Sequence, residues 1–205
     1  AAQTPVWLDP KVNQENEEQA VANYFAYESV EQAEKADKYS SSRFMSIEGD
    51  WRFNFVENAN ERPENFYAVG YDDSKWDMFP VPGLFEMNGY GDRIYVNVGY
   101  VWRNQFNNNP PFVEERNNYV GSYRQNFTIP ADWKGEKVYI HIGSATSNLK
   151  VWVNGKYVGY SEDSKMAAEF DITDYVEFGK QNLIAMQIMR WCDGSYLEDQ
   201  DFWRF

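Results

Sequence analysis

The sequence predicts an all-β fold, an antiparallel β-sandwich of jelly-roll type, and three observations carry that expectation. Apolar residues recur at every second position through several short stretches. The dipeptide Asn154-Gly155 separates two of these stretches, as a two-residue hairpin requires. Turn residues return at intervals of about 8–12, with few helical stretches between them.

Taken in order, residues 1–42 read differently from the rest. Ser29 with Gln32 three positions on forms a capping-box pattern and predicts a short helix through Lys38. Ser40-Ser41-Ser42 predicts a turn or short linker. This stretch is expected to be an arm packed on a body spanning residues 43–205. From Trp51 the period becomes two: Trp51, Phe53 and Phe55 alternate with Arg52 and Asn54. Tyr123, Gln125 and Phe127 form a second strand, stopped at Ile129-Pro130. Val138, Ile140 and Ile142 form a third. Leu149, Val151 and Val153 lead through Asn154-Gly155 into Lys156-Tyr157-Val158, a type I′ hairpin. Phe170 and Ile172 open another strand, and Leu183 to Met189 another after the turn Phe178-Gly179-Lys180. Between Pro80 and Pro111 the chain is rich in Pro, Gly and Asn, and Pro80 and Pro82 would not suit a central strand. A long loop in a compact domain tends to carry function. The chain ends on Asp201-Phe202-Trp203-Arg204-Phe205 with no turn signal, which predicts a domain cut before its last strand.

Composition narrows the functional classes. Hydrophobic residues make up 43% and charged residues 25%, within the range of folded proteins. The aromatic share of 18% suits pleated sheet surfaces and flat apolar faces that meet polar-rimmed ligands. A net charge of -13 argues against nucleic acid and against an anionic membrane face. No apolar run approaches the roughly 18 residues of a membrane span. The opening Ala1-Ala2-Gln3 lacks the regions of a signal peptide; an acidic chain with this start fits a secreted or periplasmic setting slightly better than a cytoplasmic one.

Nucleophile elbows, zinc-protease motifs and phosphate loops are absent. The single histidine, His141, lies within a strand pattern and reads as a packed or edge residue. Cys192, between Trp191 and Asp193, reads as a small core residue rather than a nucleophile. The informative stretch is residues 193–201, where Asp193, Glu198, Asp199 and Asp201 crowd together after a strand. Such carboxylates repel one another unless solvent, donors or a cation intervene. Two readings stand: a solvated acidic loop, or acids that accept ligand hydroxyls or hold a hard cation.

The motif Arg190-Trp191-Cys192-Asp193, continued by Gln200-Asp201-Phe202-Trp203-Arg204, resembles the signature that ends the first domain of family 2 β-galactosidases. Gly49-Asp50-Trp51-Arg52-Phe53, Ile94-Tyr95-Val96-Asn97-Val98, Asn109-Pro110-Pro111-Phe112-Val113 and Val153-Asn154-Gly155-Lys156-Tyr157 are similar to that family in the same order. The arm, with Trp7 and Asp9-Pro10, is similar to its amino-terminal extension. The resemblance implies a galactose-binding-like jelly roll, belonging to a retaining enzyme whose two catalytic Glu residues lie in a TIM barrel absent from this chain. It implies that Asn97 bonds the galactosyl ring, and that Asp201 meets a galactose hydroxyl and a monovalent cation, Na+ or K+, shared with the barrel. It also implies a cation site joining arm and body through Asp9, Glu162 and Asp193, and Mg2+ beside the monovalent cation as a cofactor of the whole enzyme. There the sequence departs from the family: Asp9 and Glu162 replace amides, and Val6 stands where an acid is expected. The remaining domains of the same polypeptide would be partners, and the whole enzyme a homo-oligomer. The chain alone is expected to be inactive, to bind galactose weakly, and to associate through an unpaired sheet edge. Glu198 and Asp201 are not assigned as a glycosidase pair, because no cleft surrounds them. Two further readings remain, a free-standing carbohydrate-binding module and a non-catalytic interface domain.

Overall fold

The computed structural model describes residues 4–198 and the backbone of residues 203–204. Eleven strands are described: β1 (Gln14–Glu15), β2 (Gly49–Val56), β3 (Asp77–Val81), β4 (Ile94–Tyr95), β5 (Val120–Thr128), β6 (Tyr139–Ile142), β7 (Leu149–Val153), β8 (Lys156–Ser161), β9 (Ala168–Asp171), β10 (Gln181–Met189) and β11 (Trp203–Arg204). Seven of them build one antiparallel sheet in the order β1-β8-β7-β10-β5-β2-β3. The pair β6-β9 forms a second, smaller layer, and β4 pairs with β11. This is the all-β sandwich that the alternating pattern predicts.

The period of two does the work. Trp51, Phe53, Tyr123, Phe127, Val151, Val153, Ile184 and Met186 turn one face of the large sheet inward. Ile140 and Phe170 face them from the small layer. Asn154 and Gly155 both adopt positive φ, 51° and 79°, as the type I′ turn requires. Pro80 lies inside β3, which is possible because β3 is an edge strand whose missing N–H costs no ladder bond. His141 is exposed, with Nδ1 2.8 Å from Glu169 Oε1 on the neighbouring strand.

The arm differs from its sequence expectation in length of helix. Helix α1 (Val30–Lys35) is capped by Ser29, whose hydroxyl accepts from Gln32 N at 3.2 Å. It stops at Ala36, which is left-handed at φ 51°, rather than running to Lys38. Only half of the capping box forms, since the Gln32 side-chain oxygen has no partner. A separate 3-10 turn, Lys38–Ser40, follows, capped by Asp37. The serines after it are buttressed: Ser41 Oγ, Ser42 N and Ser42 Oγ all donate to Glu28. Those bonds hold the Glu28 carboxyl down to about 2.

Two contacts fasten the arm. Strand β1 pairs with β8, and Trp7 is buried in a second core with Ile94, Val101, Val120, Tyr160, Met189, Trp191 and Cys192. Burial of a side chain of this kind contributes on the order of 2–3 kcal/mol. The second core sits at one end of the large sheet, where β5 begins and β8 and β10 finish. Among the described residues no helix is long and apolar enough to cross a membrane.

Candidate functional site

The acidic stretch leaves β10 with its first acid, Asp193, drawn inward rather than solvated, whereas Glu198 is half-buried. Asn118 grips Trp191 on both sides, accepting from its N–H at 2.9 Å and donating to its carbonyl at 3.0 Å. Ser147 Oγ donates to the Arg190 carbonyl at 2.6 Å. The chain then turns through a 3-10 helix, Asp193–Leu197, in which Cys192 N donates to Ser195 Oγ at 3.1 Å. As a result Asp193 is only 6% exposed and Ser195 is fully buried. The solvated-loop reading therefore fails for Asp193, because this backbone is pinned by neighbours distant in sequence.

The same stretch holds the irregular loop that carries Asn97. The Arg190 guanidinium donates to Asp92 Oδ1 at 2.8 Å and to the Asp92 carbonyl at 2.9 Å. It lies over the Tyr119 ring at 4.4 Å, and Tyr119 Oη also donates to Asp92. Partial burial pushes the Asp92 carboxyl up, but the Arg190 and Tyr119 hydrogen bonds outweigh it and hold the group below its usual range. Burial and the Asp92 bond push Tyr119 up to about 12. Farther along, Tyr196 Oη accepts from Asn109 N at 3.1 Å and donates to the Phe112 carbonyl at 2.7 Å. Asn97 itself is exposed, and its Oδ1 accepts from Tyr95 Oη at 3.1 Å. Asp201 lies outside the described residues.

Glu162, Cys192 and Asp193 converge, with their candidate ligand atoms within 4.8 Å of one another. Tyr160 Oη donates to Glu162 at 2.6 Å. Burial, and then the Asp193 charge, lift Glu162 to about 7; burial likewise lifts Asp193, and Asp9 adds to it. The structure thus brings Asp9 within electrostatic reach of Asp193. Burial and the flanking carboxylates push the Cys192 thiol up, so it stays protonated. Asp193 Oδ1 is buried with no hydrogen-bond partner. An orphaned, buried carboxylate oxygen beside a second carboxylate suits a hard cation with oxygen ligands, which would complete both groups. The protonated thiol adds little to such a site.

Sequence reasoning missed Arg190, Asp92, Asn118 and Tyr196 as the residues that position the loop. One signal was available: Arg190 follows the apolar run of β10 directly, and a charge placed there needs a partner.

The residues 44–205 match the model of the glycosyl hydrolases family 2 sugar-binding domain. The chain is 44% identical over 201 residues to a β-galactosidase of Priestia megaterium, covering 98% of this chain and 19% of that protein. It is 40% identical over 200 residues to a β-galactosidase of Halalkalibacterium halodurans, covering 97% and 19%. A β-galactosidase large subunit of Leuconostoc lactis is 34% identical over 213 residues, covering 97% and 33%. The chain therefore spans between about a fifth and a third of these relatives. Among solved structures, a glycosyl hydrolase family 2 member from Bacteroides cellulosilyticus aligns with a TM-score of 0.52 and 26% identity over 72% of this chain and 18% of that one. A β-glucuronidase of Bacteroides uniformis shares the fold, with a TM-score of 0.52 and 21% identity over 71% of this chain and 14% of that one. With the match spanning the whole body of the sandwich, the chain belongs to the sugar-binding domain family of glycoside hydrolase family 2.

Proposed function

We propose that this chain is the amino-terminal sugar-binding domain of a β-galactosidase that hydrolyses terminal β-D-galactosides with retention. The catalytic carboxylates would lie in the part of the enzyme this chain does not cover. Asn97 and Asp201 would supply contacts to the galactose ring, and Asp201 would share a Na+ or K+ with the catalytic domain. Asp9, Glu162 and Asp193 would hold Mg2+ between arm and body. The chain alone would bind galactose weakly, because most partners of these residues are elsewhere.

The observation that carries the reading is the clasp between the 190–198 segment and the loop of residues 92–112. Arg190 and Tyr196 hold that loop at both ends, so an exposed amide at position 97 is presented on a fixed backbone. Pre-positioning of this kind is what hydrogen bonding to a sugar hydroxyl requires. Relatedness at 44% identity to a β-galactosidase supports the choice of substrate class.

The test is hydrolysis of a chromogenic β-galactoside by the full polypeptide that carries this chain, beside Asn97→Ala and Asp201→Ala. Loss of two or more orders of magnitude in kcat/KM for both variants, with a sodium response abolished in Asp201→Ala, is the expected result. An active enzyme indifferent to both substitutions would refute the assignment of these residues. An inactive polypeptide that still retained galactosides would point instead to a binding module.

A further inference from the structure

The dipeptide Asn-Gly occurs twice in the chain, at Asn88-Gly89 and at Asn154-Gly155, and the fold treats the two differently. Glycine after asparagine matters chemically because, lacking a Cβ, it lets its own backbone nitrogen approach the asparagine side chain. At Asn154 the side chain is pinned against that approach. Its Nδ2 donates to the Tyr175 carbonyl and to Asn182 Oδ1, both at 2.8 Å, and its Oδ1 accepts from Leu183 N at 2.9 Å. This turn is half-buried, with the backbone of residues 67–69 lying 3.8–3.9 Å from where a Cβ on Gly155 would stand. At Asn88 little holds the side chain. Asn88 and Gly89 are both exposed, and nothing lies within 4 Å of a Cβ placed on Gly89. Among the described residues the Asn88 side chain makes one hydrogen bond, from Nδ2 to the Leu84 carbonyl at 2.8 Å.

We propose that Asn88-Gly89 is a self-modifying site that converts to isoaspartate in the folded protein, while Asn154-Gly155 is kept intact by its hydrogen bonds. The Gly89 amide nitrogen attacks Asn88 Cγ. A Cγ–N bond forms, the Cγ–Nδ2 bond breaks, and ammonia leaves with the Gly89 amide proton. Water then opens the resulting five-membered imide. Opening at the Asn88 backbone carbonyl routes the chain through Cγ as isoaspartate with a free α-carboxylate; opening at Cγ gives ordinary aspartate. Water is the only co-reactant and nothing is oxidised or reduced. The position gives the change its reach. Residues 85–90 form one turn, in which the Phe85 carbonyl accepts from Asn88 N and Tyr90 N, both at 3.0 Å. Phe85 and Tyr90, at its two ends, pack on the same Phe53 ring, at 5.7 and 4.9 Å. Isoaspartate puts one more carbon into the backbone between two rings that the core holds in place. It also removes the Nδ2 donor to Leu84. Two residues past Tyr90 comes Asp92, which Arg190 clasps, so the conversion loosens the start of the 92–112 loop.

The test is peptide mapping of the full polypeptide that carries this chain, aged in mildly alkaline buffer, beside Asn88→Gln, whose longer side chain closes an imide far more slowly. In wild type the peptide spanning residue 88 should gain about 1 Da and split into two forms, the larger of which accepts methyl groups from an isoaspartyl methyltransferase used as reagent. Asn154 has two more side-chain bonds to open, each worth about a factor of five, so its conversion should run about 25-fold slower. In urea sufficient to unfold the chain the two sites should convert within about threefold of one another, because both are then the same exposed dipeptide. Ageing should speed proteolysis within residues 92–112 of wild type and leave Asn88→Gln unchanged. Conversion of Asn154 as fast as Asn88 in the folded protein would overturn the proposal. So would a residue-88 peptide that stays intact while the unfolded chain converts, or a mass gain with no methyl acceptance.

Discussion

Replacing Glu162 by Gln probes the paired carboxylates directly. In the folded chain Glu162 is lifted from an ordinary 4.5 to about 7, first by burial and then by Asp193. The folded state therefore binds a proton that the unfolded state releases. An acid with a raised folded value contributes no penalty below its unfolded value, about pH 4.5, and a growing one as pH rises through 7. At 1.36 kcal/mol per pH unit the full displacement corresponds to about 3 kcal/mol; partial solvent access and sharing of the proton with Asp193 reduce it to about 2. Gln is isosteric, can still accept from Tyr160, and offers Asp193 an amide donor. With EDTA present, the urea midpoint of wild type should fall between pH 5 and pH 7.5 by more than that of Glu162→Gln, the difference amounting to about 2 kcal/mol. Self-repulsion of a chain with net charge -13 affects both proteins alike and cancels in the comparison. Millimolar Mg2+ at pH 7.5 should recover wild type and leave the variant unmoved. Parallel pH curves for the two proteins would refute the reasoning.

Three other substitutions test the framework. Arg190→Met keeps bulk but removes the bonds to Asp92; because the Asp92 side chain is 57% exposed it can rehydrate, so the expected cost is about 1–2 kcal/mol rather than the 3–5 of a stranded buried charge, with faster proteolysis in residues 92–112. Since Asp92 is held low in the fold, its contribution is present above the ordinary carboxylate range and fades as pH falls, and thermal melts of Arg190→Met should lose that acid dependence. Gly159→Ala would place a methyl group 2.6 Å from the Phe170 ring and against the Glu15 carbonyl, so hydrogen exchange should show β1 released from β8. Phe170→Ala empties a fully buried position and should lower stability by about 3–5 kcal/mol in chemical unfolding, and a value under 1 would show that the two layers do not share this core.

What the sequence makes legible is what alternation and turn chemistry encode. Strands β2, β5, β7, β8 and β10 follow from residues two apart, and the hairpin follows from Asn154-Gly155, whose side-chain and backbone demands are local. Strand β1 was hidden because Gln14 and Glu15 have no apolar signal; its place is set by backbone pairing to β8 and by the bond from Tyr157 Oη to Glu15. The inward turn of Asp193 was hidden for a similar reason. Charge spacing says that carboxylates repel, but the grip of Asn118 on Trp191 spans 73 residues and leaves no local trace. Buried Arg124 shows the same limit, since its partner Asp73 lies 51 residues away. Resemblance supplied Asn97 and Asp201, which no periodicity could single out.

The placement of these features at one end of the sheet bears on how the domain works. Met189 pairs with Val120, and Leu149 with Ser161, so β5 starts where β8 and β10 finish. The second core fills this end with residues from the arm, the 92–116 loop and the stretch after β10. A change in any one of those three segments is therefore felt by the other two through shared side chains, chiefly Trp7, Trp191 and Tyr160. The main core, centred on Phe53, Val151 and Phe170, can stay packed while this end shifts, because its contacts lie between the sheets rather than around the loop.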